Sequence, residues 1–584
     1  MNDYILGISA YSHDSAAALL QGGRIVASAQ QERFSRIRHD AAFPQQALDF
    51  CLAQAQISLD EVALVACAQA PGATEAQTLE AVRRDLAAAY PGRAVKLRAC
   101  AHQRAHAASA FYPSPFHSAA VLCLDGGTAQ AASLWQGRGE ALTLAHAWPG
   151  PHSIGWLYSA ITAFCGFKVN SGEYKLMGLA PYGQAVYADL MRSQLIELHA
   201  DGAFTLNPDY FEAGHGHAFN SAAFARLLGG PARLPEGVLT QRECDLAASI
   251  QQLTQQLVCA LARRAAAQTG ERQLCLAGSV ALNCAANGVL QRTGIFDAIW
   301  VQPAAGDAGT ALGAALDAAA AAATPSSRAH LASGTDAMQG AFLGPAFSDA
   351  DILAYLTQNG LPFTRHEGAA LHDCVAARLA SGAVVGWFQG RMEFGPRSLG
   401  ARAILGDARD PAMQQTMNLK IKFRESFRPF APCVLEADAA DYFDLGQASS
   451  PYMLFVAPVS ERIRLPPTAS QAETGLGSLG ARRSSLPAVT HVDFSARVQT
   501  VNEAVNPALF GLLTRFKQLT GCPVLVNTSF NVRGEPIVQT PQQAYACFMR
   551  TGRDVLVLGH CVLERQQQPV FAESGDWRAR IALD

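Results

Sequence analysis

The chain has 584 residues, of which 49% are hydrophobic and 16% are charged. One hydrophobic core rarely serves more than about 250–300 residues, so this length predicts two large domains. The composition excludes a largely disordered chain. The formal net charge of −3 gives no general attraction for polyanions such as tRNA or DNA, and we therefore expect no nucleic-acid partner.

The amino terminus and the cysteines predict the compartment. The first 20 residues include Asp3 and lack the basic start and apolar run of a signal peptide. No apolar run approaches the roughly 20 residues that span a bilayer. The 14 cysteines form no CxxC pair, and most lie in apolar runs, as buried reduced thiols do. We expect a soluble cytoplasmic protein with no membrane partner.

Two stretches of weak hydrophobic patterning indicate where a domain boundary and a surface loop lie. Residues 318–340 are rich in Ala, Ser, Thr and Gly and predict a boundary between domains at 1–335 and 340–584. Residues 459–486 are rich in Ser, Gly, Pro and Arg and predict a surface loop of the second domain.

Four apolar strands of the first domain lead into small-residue loops. Such loops expose backbone N–H groups that can hold phosphate, although glycines also form turns without a ligand. Within residues 273–288, the predicted strand ends at Gly278 and a helix is predicted from Ala281. Four such loops together favour a nucleotide site. They span residues 4–15, 119–128, 273–288 and 302–319, and the candidate binding residues are Gly126, Gly127, Thr128, Gly278 and Asn283.

His102 and His106 lie four residues apart in an Ala-rich stretch with high helix propensity. They therefore project from one helix face and can both contact one metal ion, whereas two surface histidines are the alternative interpretation of the spacing. Asp125 follows a buried strand and Asp307 lies in a glycine-containing loop. Two imidazoles and two carboxylates suit Fe(II), Mn(II) or Zn(II) better than Mg(II).

The second domain concentrates cations beside Gly, Pro and Phe. Guanidinium groups and lysines in such a setting favour a pocket for phosphate or carboxylate over a structural ion network. The cations are Arg391, Arg397, Arg402, Lys420, Lys422, Arg424 and Arg428. Further on, a β-branched strand is predicted to end in a polar turn with Asn527, Ser529 and Asn531, which can bind a small ligand or simply form the turn.

Seven motifs together resemble the NodU/CmcH family of O-carbamoyltransferases over nearly the whole chain. They are HDSAAAL, VNSGEYKLMGLAPYG, AGSVALN, QPAAGDAG, FGPRSLGARAIL, KFRESFRPFAP and LVNTSFNVRGEPIV. The resemblance implies an α/β fold with an actin-like (ASKHA) amino-terminal domain of duplicated α/β lobes and a YrdC-like carboxy-terminal domain.

This resemblance also implies a reaction. The second domain would form carbamoyl adenylate from carbamoyl phosphate and ATP with Mg(II). The first domain would transfer the carbamoyl group to a hydroxylated small molecule, such as a natural product or an antibiotic. The oligomeric state stays open, with a homodimer as one alternative.

The family's functional residues map onto this chain by motif. The resemblance implies an iron-type metal site at His102, His106, Asp125 and Asp307, and catalytic residues at His13, Asp14 and Arg38. It implies binding of carbamoyl phosphate and nucleotide by Arg397, Lys422, Arg424, Arg428, Arg497, Asn527, Ser529 and Asn531.

Three positions depart from the family pattern. Arg38 stands where lysine is common, and a guanidinium keeps the charge but does not titrate. Ser279 and Thr310 stand where glycine is usual, next to the predicted nucleotide loops.

Two other functions compete with this interpretation. A tRNA threonylcarbamoyl-type modification enzyme would share both domain types but needs a basic face. An actin-like nucleotide-dependent regulatory protein would leave the cation cluster of the second domain without a role. The acceptor, the native metal and the general base are not specified by the sequence.

Overall fold

The computed structural model describes residues 4–126, 130–150, 152–199, 202–211, 219–322, 334–446, 449–466, 475–571, 573 and 577. The chain divides into two compact units, Met1–Ser35 with His39–Met338, and Arg36–Arg38 with Gln339–Asp584. Within the described ranges, none of the helices combines the length and apolar character that crossing a bilayer requires.

The first unit is an α/β structure. Its strands are β1 (Tyr4–Ser9), β2 (Ala16–Gln21), β3 (Arg24–Gln30), β4 (Val62–Ala68), β5 (Leu97–Cys100), β6 (Ser118–Leu124), β7 (Gln130–Arg138), β8 (Ala141–Pro149), β9 (Ile196–Leu198), β10 (Phe204–Leu206), β11 (Gln273–Ala277) and β12 (Ala298–Val301). Its helices are α1 (Glu32–Ser35), α2 (Gln45–Ala55), α3 (Glu75–Ala89), α4 (His102–Phe111), α5 (Ile154–Phe164), α6 (Glu173–Leu179), α7 (Ala188–Gln194), α8 (Ser221–Leu227), α9 (Gln241–Thr269), α10 (Cys284–Arg292) and α11 (Ala308–Ala321).

Two five-stranded sheets of this unit repeat one topology. The first has the order β3-β2-β1-β4-β5, and the second has the order β8-β7-β6-β11-β12. In each sheet the first three strands are antiparallel, and the last two run parallel to the central strand, β1 or β6. This repeat confirms the duplicated α/β lobes predicted for an actin-like domain.

Helices α4 and α11 pack on each other between the two sheets. Helix α11 contacts β1, β2 and β4, and α4 contacts β6, β7 and β11. The helices approach closely because Gly313 has no side chain: a Cβ there would lie 1.8 Å from the carbonyl oxygen of Ala105. On the other side, a Cβ on Gly7 of β1 would lie 1.9 Å from the carbonyl oxygen of Ala311. Helix α11 is thus packed backbone to backbone on both sides.

The second unit is built on one mixed sheet of order β13-β22-β21-β14-β15-β20-β16-β19. The strands of this unit are β13 (Thr364–Arg365), β14 (Val385–Phe388), β15 (Arg402–Asp407), β16 (Ala431–Leu435), β17 (Val456–Pro458), β18 (Ser495–Arg497), β19 (Gln499–Val501), β20 (Val524–Ser529), β21 (Val555–Leu558) and β22 (Cys561–Glu564). Its helices are α12 (Asp349–Gln358), α13 (Ala369–Ala380), α14 (Met413–Thr416), α15 (Ala439–Tyr442), α16 (Pro507–Thr520) and α17 (Pro541–Met549). Helices α13 and α16 pack together and contact the sheet, and the core includes fully buried Trp387 and Phe516.

Two predicted element boundaries are wrong. Helix α10 begins at Cys284 and not at Ala281, because Asn283 caps it by accepting a hydrogen bond from the Ala286 amide. Strand β20 continues through Ser529, so Asn527 and Ser529 lie in the strand and not in the following turn. The strand is longer than predicted because β15 and β16 pair with it on both sides.

The predicted surface loop at 459–486 is wrong at its ends. Val459 and Leu486 are fully buried in the core of the second unit. Arg464 and Ser484 form an antiparallel bridge that holds the two ends together. Residues 467–474 of this stretch, like residues 323–333 of the predicted domain boundary, lie outside the described residues.

The contact between α4 and α11 predicts an unusual response to substitution. We expect Gly313→Ala to lower the free energy of unfolding of the first unit by about 2 kcal/mol, because the new Cβ would force the helices apart. In a helix interior without such an obstruction, a change from glycine to alanine raises the free energy of unfolding by up to about 1 kcal/mol. The sign of the measured change therefore distinguishes the two situations. Chemical denaturation followed by circular dichroism measures it. Gly306→Ala is the control in the same unit, since a Cβ there would lie 3.9 Å from its nearest neighbour. A Gly313→Ala protein as stable as the wild type would contradict the close contact.

Candidate functional site

Two imidazoles and two carboxylates meet beside the contact between α4 and α11. His102 and His106 lie one turn apart on α4, Asp125 follows β6 directly, and Asp307 immediately precedes α11. One ligand atom from each residue lies within 4.8 Å of the others. His102 Nε2 is 3.0 Å from Asp125 Oδ2 and 3.2 Å from His106 Nε2. The structure therefore brings together the four residues predicted to bind a metal; we refer to them as the His/Asp cluster.

Neighbouring groups orient the members of the His/Asp cluster. His102 Nδ1 lies 3.1 Å from the carbonyl oxygen of Gln69, which can accept a hydrogen bond from Nδ1–H. In that tautomer the lone pair of Nε2 faces the cluster. The Ser279 hydroxyl donates to Asp125 Oδ1 at 2.8 Å, and the Ser12 hydroxyl donates to Asp307 Oδ2 at 3.0 Å. Sequence reasoning missed both serines as site residues; Ser279 was noticed only as a replacement for glycine.

The electrostatics of the His/Asp cluster favour a cation. Burial lowers the pKa of His102, but the hydrogen bond to Asp125 and the charges of Asp307 and Asp125 raise it more, to about 9. Burial raises the pKa of Asp125, yet His102 and His106 together hold it far below its usual range. Buried carboxylates thus need a positive partner here.

The donor set fits a transition metal ion. The Nε2 atoms of His102 and His106 face each other at 3.2 Å, and two protonated nitrogens would repel at that distance. A shared cation removes this conflict. Two nitrogens and two carboxylate oxygens suit Fe(II), Mn(II) or Zn(II). His106 is fully buried, and its Nδ1 has no hydrogen-bond partner in the structure.

Two of the three predicted catalytic residues, His13 and Asp14, lie side by side. His13 Nδ1 lies 3.0 Å from Asp14 Oδ2, and the second oxygen of Asp14 lies 2.9 Å from Nδ1 of His39, which was not predicted. Arg38, the residue before His39, is half-buried and belongs to the second unit. Burial lowers the pKa of His13, but Asp14, Asp307 and Glu32 raise it to about 9.

Several predicted nucleotide-binding groups have structural contacts. The amides of Tyr11 and Ser15 donate to the carbonyl oxygens of Ala41 and Asp40, so these N–H groups of the first loop are not open to phosphate. Asn283 caps α10, as described above, and its side chain also pairs with Gln251.

Close backbone approach requires Gly278 of these loops, and it also requires Gly155 of α5, which lies against Gly126. Gly278 has φ +87°, and a Cβ there would lie 2.1 Å from the carbonyl oxygen of Leu124. A Cβ on Gly155 would lie 2.7 Å from Gly126 Cα, which places Gly126 against the start of α5. Gly127 and Thr128 lie outside the described residues.

In the second unit, Lys422, Ser529 and Asn531 form one polar centre; we refer to it as the Lys422 centre. Lys422 ends a π-helical turn, Met417–Lys422, a geometry that recurs at functional sites. Its Nζ donates to Asn531 Oδ1 at 2.6 Å and to Ser529 Oγ at 3.2 Å, and it also contacts the carbonyl oxygens of Ser529 and Asn531. Lys422 is only 3% exposed.

The Lys422 centre has an excess of positive charge. Burial is the main cause that holds the pKa of Lys422 well below its usual range, and the charges of Arg424, Arg553 and Arg428 add to it. An anion bound beside Lys422 would counteract the burial and the repulsion by the arginines, and would therefore favour the charged form of the amine. The centre therefore suits a phosphate or carboxylate ligand.

Other predicted binding residues have structural partners. Arg424 Nε donates to Asn418 Oδ1 at 2.7 Å, and its guanidinium lies 4.7 Å from the centre of the Phe430 ring. Arg428 lies 3.9 Å from Glu425. Arg397 lies in the loop before β15 and Arg497 ends β18; both are half-buried.

Three residues of the predicted pocket bond to other parts of the chain. Asn527 is fully buried, and its Nδ2 donates to Gln499 Oε1 at 2.7 Å. Fully buried Arg402 donates to backbone carbonyl oxygens, among them that of Gln389 at 2.8 Å. Arg391 also donates to a carbonyl oxygen, that of Gly344.

Family models and known relatives agree with this two-part architecture. The model described as carbamoyltransferase N-terminus matches residues 4–96 and 86–316, and the model described as carbamoyltransferase C-terminus matches residues 376–565. An uncharacterized protein of Synechocystis sp. is 50% identical over all of both chains. Nodulation protein NolNO of Sinorhizobium fredii is 35% identical over 98% of this chain and 81% of its own length.

A relative whose name states its activity is more distant. The 3'-hydroxymethylcephem-O-carbamoyltransferase of Amycolatopsis lactamdurans is 29% identical over 67% of this chain and 65% of its own length. The two family models, together with the similarity to the Synechocystis protein and to NolNO over nearly the whole chain, assign the family. This chain belongs to the carbamoyltransferase family and is a carbamoyl-transferring enzyme.

Proposed function

We propose that this protein is an ATP-dependent O-carbamoyltransferase. It forms carbamoyl adenylate from carbamoyl phosphate and ATP and transfers the carbamoyl group to a hydroxyl of a small molecule. The observation that carries the proposal is the presence of two chemically different centres, the His/Asp cluster of the first unit and the Lys422 centre of the second. The O-carbamoyltransferase named among the relatives supports a hydroxyl acceptor.

Activation is assigned to the second unit. Hydrolysis of carbamoyl phosphate gives carbamate and phosphate, and a carbamate oxygen then attacks the α-phosphorus of ATP and displaces pyrophosphate. Every species in this sequence is an anion, and Mg(II) would accompany ATP as its counterion. The buried ammonium of Lys422, held by Ser529 and Asn531, would stabilise the negative charge that develops on the phosphoryl oxygens.

Transfer is assigned to the first unit. The acceptor oxygen bonds to the carbamoyl carbon, the bond from that carbon to AMP breaks, and the hydroxyl proton goes to a base. His13 Nε2 suits this role because it is buried without a hydrogen-bond partner while Nδ1 contacts Asp14. Only the neutral ring accepts a proton, and the pKa of about 9 makes that form scarce at neutral pH. Transfer by this base therefore becomes faster as the pH rises toward 9.

The His/Asp cluster would hold Fe(II) or a similar divalent ion in the transfer unit. When bound, such an ion would supply a Lewis acid for oxygens of the adenylate. The residues of the chain orient this site, since Ser279 and Ser12 fix the two carboxylates and the carbonyl of Gln69 fixes His102.

Product analysis tests the proposed reaction directly. The protein is incubated with ATP, Mg(II), carbamoyl phosphate and a panel of hydroxylated metabolites. We expect AMP, pyrophosphate and phosphate, together with one metabolite that gains the mass of one carbamoyl group. Consumption of ATP that yields ADP in place of AMP would refute the adenylate route.

We expect His102→Ala and His106→Ala each to abolish transfer and metal binding while carbamoyl adenylate formation persists, because the ligands lie only in the first unit. Metal analysis and separate assays of AMP formation and carbamoylated product measure the two effects. His117→Ala, an exposed histidine of the same unit, is the control and should behave as the wild type. Full metal occupancy in the double variant would eliminate the His/Asp cluster as the metal site.

We expect Lys422→Ala and Asn531→Ala each to reduce carbamoyl adenylate formation by roughly a hundredfold, because each removes a contact in a desolvated polar centre. Lys420→Ala is the matched control, since this exposed lysine lies only two residues away. Synthetic carbamoyl adenylate supplied to the folded variants should restore product formation. Variants that contain metal and still fail to use the adenylate would contradict the division of work between the two units.

A further inference from the structure

His13, Asp14 and His39 form a compact assembly in the first unit. The rings of His13 and His39 stack with centroids 4.4 Å apart and planes inclined by 22°. Their Nδ1 atoms lie 3.0 and 2.9 Å from different oxygens of the Asp14 carboxylate. One carboxylate thus holds two imidazoles side by side.

The backbone around this assembly is held in an uncommon conformation. Asp14 and His39 have φ of +57° and +56°, in the left-handed region that residues with side chains rarely occupy. The His39 amide donates to Glu32 Oε2 at 2.8 Å, and the Ser15 amide donates to the carbonyl oxygen of Asp40 at 2.8 Å. The second of these bonds joins the loop that carries His13 to the loop that carries His39. Strain of this kind persists where the surroundings fix it, often at functional sites.

The outer nitrogens of both rings are left for a ligand. Nε2 of His13 and Nε2 of His39 are buried and have no hydrogen-bond partner in the structure. When Nδ1 donates to Asp14, Nε2 carries the lone pair of the neutral ring. A buried lone pair without a donor is unfavourable unless a ligand supplies that donor. Ser12, the residue before His13, bonds to Asp307 and connects this loop to the His/Asp cluster.

We infer that His39 is a positioning residue for carbamoyl transfer, which holds the Asp14 carboxylate and the His13 ring so that His13 Nε2 faces the reacting hydroxyl. This inference rests on the proposed function. With both oxygens of Asp14 bonded, the carboxylate does not rotate freely. The fixed carboxylate then holds the His13 ring in one orientation through its Nδ1, as the third member of a catalytic triad orients the base.

Two substitutions at position 39 separate this role from a general effect on folding. Asparagine and glycine both tolerate a left-handed backbone, so neither adds strain at φ +56°. The Asn Nδ2 takes the place of the imidazole Nδ1 and can donate to Asp14, whereas glycine offers no donor. His39→Asn and His39→Gly therefore differ in the hydrogen bond under test.

We expect His39→Asn to keep carbamoyl transfer within a few-fold of the wild-type rate and His39→Gly to slow it by about a hundredfold, the loss typical of a misplaced reacting group. Transfer is measured from carbamoyl phosphate and ATP to the acceptor found by product analysis, or to water by AMP release from synthetic carbamoyl adenylate. Adenylate formation and the KM for carbamoyl phosphate should be unchanged in both variants. Equal transfer rates in the two variants would overturn the inference.

A second measurement does not depend on the proposed activity. NMR of full-length protein with ¹⁵N-labelled histidine reports which ring nitrogen carries the proton, and His13→Gln assigns the signal. At a pH where His13 is neutral, we expect its proton on Nδ1 in the wild type and in His39→Asn, and a shift toward Nε2 in His39→Gly. The same proton position in all three proteins would overturn the positioning role even if transfer is active. A wild type that makes no carbamoyl product would refute the proposed function alone.

Discussion

The close packing of α11 between β1 and α4 is the constraint on which the first unit depends. Gly7 and Gly313 allow backbone atoms to touch on both sides of the helix, so no side chain separates the two duplicated lobes at this point. Asp307 precedes α11 directly, and His102 and His106 lie on the adjacent helix α4. Contact between rigid backbones therefore sets the distance between the histidines and this aspartate, with little freedom left to the side chains.

The two centres have opposite charge requirements. In the His/Asp cluster, carboxylates and imidazoles hold Asp125 ionised although it is buried, which suits a cation. Around Lys422 the cations repel one another: Arg553 is only 1% exposed and stacks over Phe530, and its charge lowers the pKa of the amine further. This centre suits an anion. One chain thus has two centres that suit ligands of opposite charge, as the proposed activation and transfer would require.

Spacing predicted the His/Asp cluster, and the family resemblance implied that Lys422 groups with Ser529 and Asn531, but neither predicted which neighbouring polar residues join them. The i, i+4 histidines and the two loop aspartates meet as expected, and so do Lys422, Ser529 and Asn531. Asn527 has the same side-chain type as Asn531 and lies four residues earlier, yet it points into the core and binds Gln499. Asn527 lies inside β20, where β15 and β16 pair with it on both sides, whereas Asn531 lies beyond the end of the strand; residue type does not show this difference.

The sequence by itself determined the two-domain length, the family, the helix that presents His102 and His106, and the residue types suited to metal and phosphate. These properties depend on local spacing and composition. Only the tertiary structure decided that Arg402 donates to the backbone carbonyl oxygens of Gln389 and Pro345, whereas Lys422 also donates to the side chains of Ser529 and Asn531. It also decided that Ser279 binds Asp125 and that His39 shares Asp14 with His13. The physical reason is that each of these partners comes from a separate segment of the chain, and folding alone brings them within hydrogen-bond distance.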